Sequence, residues 1–68
     1  MAGLSFDVLR VGKRYTLINY GDRHDFIIES IRADGDFLVK DIHTLERYHL
    51  KGILKFGRGA DFTIDDLK

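Results

Sequence analysis

Short apolar runs rich in β-branched and aromatic residues alternate along this chain with clusters of Gly and Asp, a punctuation that restricts the fold more than any single residue does. The strong runs are Tyr15-Thr16-Leu17-Ile18-Asn19-Tyr20, Phe26-Ile27-Ile28-Glu29-Ser30-Ile31, Phe37-Leu38-Val39-Lys40 and Phe62-Thr63-Ile64, with a weaker one at Arg47-Tyr48-His49-Leu50. Within the first run, Tyr15, Leu17 and Asn19 face one way and Thr16, Ile18 and Tyr20 the other. In the second, Phe26 and Ile28 oppose Ile27 and Ile31. Both faces therefore carry apolar side chains, whereas a flat sheet with one solvated face alternates more cleanly. Strongly bent strands of a small barrel produce this pattern, and so does a dimer interface on an outer face.

The segments between the runs specify reversals. Asp34-Gly35 is the strongest hairpin signal, because Gly takes the positive φ that tight turns need. Gly21-Asp22-Arg23 and Thr44-Leu45-Glu46 mark two more turns, the second with an unusual Leu. Residues 4–11 alternate loosely and predict a lead-in strand or a single helical turn, ended by Gly12. Lys51-Gly52-Ile53-Leu54-Lys55-Phe56 lacks alternation and predicts a helical turn with Ile53, Leu54 and Phe56 tucked inward. Gly57 and Gly59 then permit a sharp reversal into the last strand. The expected fold is all-β, a five-stranded small barrel over residues 1–68, with a two-sheet roll as the alternative. The expected core is Val11, Leu17, Ile28, Ile31, Val39, Tyr48, Leu50, Ile53, Phe56 and Ile64.

A chain of 68 residues buries only about 60% of the surface its unfolded form exposes, so each core contact weighs heavily. It has no cysteine, which removes disulfides and thiolate metal sites. Eleven basic residues balance eleven acidic ones, so no overall field recruits a polyanion or an anionic membrane. No apolar stretch approaches the ~20 residues of a membrane span. Met1 to Asp7 lacks the basic start and apolar centre of a secretory signal, and the expected compartment is the cytoplasm.

No set of residues carries chemistry. Ser5 and Ser30 have no triad context, and Asp34 and Asp36 are explained by a turn. His24, His43 and His49 show no ligand spacing, although a hairpin over 41–50 would bring His43 and His49 together near Asp41 or Glu46. Gly57-Arg58-Gly59 lacks the Lys-Ser/Thr pair and the helix of a phosphate loop. The chain is expected to be no enzyme and to hold no cofactor or metal. One cluster invites a ligand. Lys51, Lys55 and Arg58 approach Arg10, Lys13 and Arg14 if the last strand pairs with the first, with Tyr15, Tyr20 and Tyr48 as exposed aromatics. Aromatics among basic side chains hold single-stranded nucleic acid by stacking and phosphate neutralisation. Core tyrosines surrounded by solubilising charge give the same pattern.

Five short strands with one helical turn before the last resemble the Src-homology-three-like small barrel shared by Tudor and KOW-type modules. The opening Leu9-Arg10-Val11-Gly12-Lys13-Arg14-Tyr15-Thr16-Leu17 is similar to the lead-in of such barrels, and Lys51 to Phe56 to their connector turn. The likeness is one of pattern and implies the fold alone. The chain has neither the Trp nor the Tyr-rich loop with which the peptide-binding members hold proline-rich ligands. The expected function is a non-catalytic interaction module whose partner is a protein or a second copy of the chain, through a symmetric homodimer. A nucleic-acid-binding barrel is the alternative, and the candidate ligand-binding residues are Arg14, Tyr15, Tyr20, Tyr48, Lys51, Lys55 and Arg58.

Overall fold

Alternation in the runs becomes one antiparallel sheet. The computed structural model describes residues 6–67, so Leu4 of the lead-in lies outside the described residues. A 3-10 turn at Phe6–Val8 precedes β1 (Arg14–Asn19), β2 (Asp22–Ile31), β3 (Phe37–Asp41), β4 (Arg47–His49), the single helical turn α1 (Leu50–Ile53) and β5 (Thr63–Asp66). The strand order is β4-β3-β2-β1-β5. Every neighbouring pair is antiparallel. The five strands and the helical turn before the last match the expected elements. The ladder does not close into a ring: β4 and β5 are its two edges, and the strands form one sheet rather than two.

One face of the sheet makes the core. Ladder partners Tyr15 and Phe26, Ile28 and Val39, and Leu17 and Ile64 are all buried there. Leu9, Phe37 and Leu50 complete this layer, with Phe6, Tyr48, Ile53 and Phe62 packed around it. Leu17, Ile28, Val39, Leu50 and Ile64 are thus core residues as expected, and Tyr48 and Ile53 are half-buried at its margin. No helix among the described residues is long and apolar enough to cross a membrane.

Three expected core residues lie outside it. Val11 is 55% exposed because it sits at the tip of a turn in which Lys13 N–H donates to Arg10 C=O and Gly12 adopts φ 87°. Ile31 is 50% exposed because a bulge between Ile28 and Ser30 bends β2, carrying its end past the core. Phe56 is 81% exposed, since the chain reverses at Gly57 (φ 90°) before its ring can turn inward. In their place Leu9, Tyr15, Phe26 and Phe37 fill the core. The β2–β3 turn matches its sequence signal: Gly35 takes φ 86°, and its N–H donates to Arg32 C=O. Leu45 also adopts a left-handed φ of 64°, in a turn fastened by the Asp41 carboxylate, which accepts the N–H groups of His43 and Thr44.

This partition predicts unequal costs of truncation. Ile28→Ala and Val39→Ala should each lose roughly 1–4 kcal/mol, whereas Val11→Ala should stay within about 0.5 kcal/mol of the parent. Urea denaturation midpoints measure the difference, and equal shifts for all three would contradict the assigned core.

Candidate functional site

The most unusual backbone lies between β1 and β2. Tyr20 (φ 52°) and Gly21 (φ 78°) form the two-residue tip, both in the left-handed region that a type I′ hairpin turn demands. Gly tolerates that conformation freely, but a Tyr does so at a cost of order 1 kcal/mol. Asp61 offsets the cost. One carboxylate oxygen accepts the N–H of Tyr20 at 2.8 Å and the other accepts that of Gly21 at 2.7 Å. The tip is thereby fixed to a residue that follows it by some forty positions.

The same contact fixes the loop that carries Asp61. Asn19, buried at the end of β1, donates from Nδ2 to Gly57 C=O at 3.1 Å and accepts from Gly59 N–H at 2.6 Å. The Tyr20 hydroxyl donates to Phe56 C=O at 3.0 Å. Its ring lies against Gly59, where an added Cβ would meet Tyr20 Cδ1 at 2.9 Å, so a side chain at 59 would displace the ring. Arg58 extends over two rings, 5.0 Å from the centre of Phe6 and 4.8 Å from that of Phe62. Five hydrogen bonds therefore clamp residues 56–61 to the hairpin tip.

What the clamp presents is an aromatic platform. Phe56 projects into solvent, with Lys55 Nζ 5.2 Å from its ring centre and Tyr20, 59% exposed, beside it. A groove of about 260 Å³ runs between them and α1, lined by Asn19, Tyr20, Asp22, His24, Gly52, Ile53 and Phe56.

The candidate ligand-binding residues do not converge. Tyr20 and Lys55 meet at Phe56, and Arg58 lies in the same loop. Tyr15 is only 1% exposed, its hydroxyl accepting the Arg10 N–H at 2.9 Å, so it serves the core and not a ligand. Tyr48 is half-buried opposite Val39, its ring 6.5 Å from Phe26. Burial, with the charges of Asp41 and Asp25, pushes its phenol up to about 12. Lys51 is the second residue of α1, its N–H donating to Asp36 Oδ1. Arg14 stands at the other end of β1, about 17 Å along the strand from Asn19, which adjoins the Tyr20 tip. It lines a separate groove of about 370 Å³ with Gly12, Lys13, Asp66 and Leu67.

The histidines also separate. His43 Nε2 lies 2.9 Å from Asp25 Oδ2, and His49 Nδ1 lies 3.9 Å from Asp36 Oδ2. No group of three His, Asp or Glu among the described residues is placed to hold a metal ion. Asp25 is nearly buried, which by itself raises the pKa of a carboxyl. Opposing that, Thr16 directly across the ladder, His43 and Arg23 favour the charged form and bring it down to about 2.

Asn19, Phe56, Gly59 and Asp61, which build the platform, were not among the candidate residues. The paired glycines marked the reversal, but a carboxylate forty positions from the turn it caps carries no local signature. Compared with known protein families, with curated proteins and with solved structures, the chain gives no match.

Two outcomes are expected. Asp61→Ala leaves two turn N–H groups without their acceptor and should lower stability by about 1–3 kcal/mol in urea denaturation; an unchanged midpoint would contradict the clamp. Asp25, depressed from 3.8 to about 2, adds stability above pH ~4 that is lost as pH falls toward 2. Because Arg23 and His43 are themselves exposed, solvent screens the pair and the contribution is about 1 kcal/mol. Asp25→Asn should flatten the stability profile between pH 4 and pH 2, and a profile parallel to the parent's would contradict the assignment.

Proposed function

We propose that this chain is a non-catalytic interaction module that docks a partner protein on the Tyr20–Phe56 platform and the groove beside it. One observation carries the proposal: the most exposed large apolar side chain belongs to a loop held by five hydrogen bonds. Exposing a Phe costs solvation, and fixing the backbone that exposes it lowers the entropy lost when a partner covers it. Anchors of interfaces are buried aromatics of this type.

The reading includes an Src-homology-three-like small barrel, supported by the meander order β4-β3-β2-β1-β5, the bulged ten-residue β2 and the helical turn before β5. It places the chain in the cytoplasm, since a cysteine-free sequence suits a reducing compartment. A protein partner is favoured over nucleic acid because Tyr15 is buried and Tyr48 is half-buried against His24 and Phe26. The charge is balanced as well.

Peptides selected by display on the folded chain test this. Binding should fall at least tenfold in Phe56→Ala, with the melting temperature unchanged. Selected peptides indifferent to Phe56 would overturn the proposed site. Tight binding of a mixed-sequence single-stranded oligonucleotide, lost steeply with added salt, would overturn the choice of partner.

A further inference from the structure

Each edge of the sheet exposes backbone groups that no strand satisfies. Asp41 N–H donates to Glu46 C=O, and antiparallel ladders alternate, so Tyr48 exchanges its bonds with Val39 of β3. Arg47 therefore turns its N–H and C=O outward and His49 its N–H, while the C=O of His49, as the N-cap of α1, serves the first turn of the helix. At the other edge Leu67 N–H donates to Arg14 C=O, which directs Asp65 and Thr63 toward β1 and leaves Ile64 and Asp66 facing outward. Among the described elements β5 packs on β1 alone, and β4 on β3 and α1. Neither edge is blunted by proline, which the chain lacks.

The two edges carry opposite charge. The cationic side chain of β4 is Arg47, with Lys40 beside it in the ladder; the ionisable side chains of β5 are Asp65 and Asp66. A symmetric pairing of β5 with β5 sets these carboxylates against their own copies, and β4 with β4 sets Arg47 against its own. Like charges thus disfavour both symmetric edge dimers. Pairing of β4 with β5 brings opposite charges together. Arg47 already donates from Nε to Glu29 at 2.6 Å, yet a guanidinium has five donors and the others remain. The Lys13–Asp66 pair, 3.9 Å apart with both side chains half-exposed, is weak enough to be exchanged.

We propose that copies of this chain associate edge to edge, β4 of one against β5 of the next, in an open head-to-tail row. Because each neighbouring pair is antiparallel, β4 and β5 run in the same direction, and a translated copy joins them as a parallel pair with both sheet faces continuous. The few outward backbone groups on each edge offer few hydrogen bonds, so the contact is weak. It is independent of the Tyr20–Phe56 platform.

Sedimentation of the full chain over a concentration series, at low and high salt, tests the proposal. The average mass should rise with concentration and fall back with added salt. An Asp65→Lys/Asp66→Lys variant makes both edges basic, and an Arg47→Glu/His49→Glu variant makes both acidic. All four positions are exposed, and circular dichroism should show each variant folded. Each alone should remain monomeric, an equimolar mixture should associate again, and Phe56→Ala should associate like the parent. A parent that stays monomeric at millimolar concentration, a closed dimer that grows no further, charge variants that associate alone, or a mixture that stays monomeric would each overturn the inference.

Discussion

The carboxylate of Asp61 is the contact on which the proposed docking surface depends. A type I′ tip with a tyrosine in the left-handed region is a costly way to join two strands. Two backbone N–H groups donating to one carboxylate offset the cost and anchor a distant loop at the same time. Once Asp61 holds the tip, the Tyr20 ring covers Gly59 and its hydroxyl reaches the Phe56 carbonyl, while Asn19 fills the remaining donor and acceptor from below. Local strain, loop closure and the exposure of Phe56 are one connected arrangement.

Much of the fold was legible in the residues, because period-two alternation and turn chemistry act locally. The Asp34-Gly35 hairpin and the helical turn after β4 follow from neighbouring side chains. Leu17, Ile28 and Val39 could be assigned to the core because they lie mid-strand on apolar runs. The failures share a cause. Val11, Ile31 and Phe56 are apolar residues just beyond an element, where a turn, a bulge or a reversal redirects the side chain. Tyr15 was misread as an exposed aromatic, although the face it shares with Leu17 is the buried one. Of the candidate site only Tyr20, Lys55 and Arg58 lie near the platform, since Asn19 and Asp61 act over some forty positions.

Charge in this molecule is arranged by place, although it sums to zero. Asp25 and Asp36 are both nearly buried and fully occupied. The first is held by Arg23 and His43 on the solvent face of the sheet, and the second accepts the N–H groups of Phe37 and Lys51. Asp36 thereby ties the β2–β3 hairpin to α1, and α1 in turn forms one wall of the groove below Phe56. At the sheet edges, Arg47 lies on β4 and Asp65 and Asp66 on β5.

The central claim is that residues 56–61 are rigid before any partner arrives. Backbone amide relaxation of the free chain measures this directly. Order parameters of about 0.85 across Phe56 to Asp61, equal to those of the strands, are the predicted result. Values below about 0.6 in that loop would mean that Phe56 is carried on a flexible segment, and the account of a preorganised platform would fail.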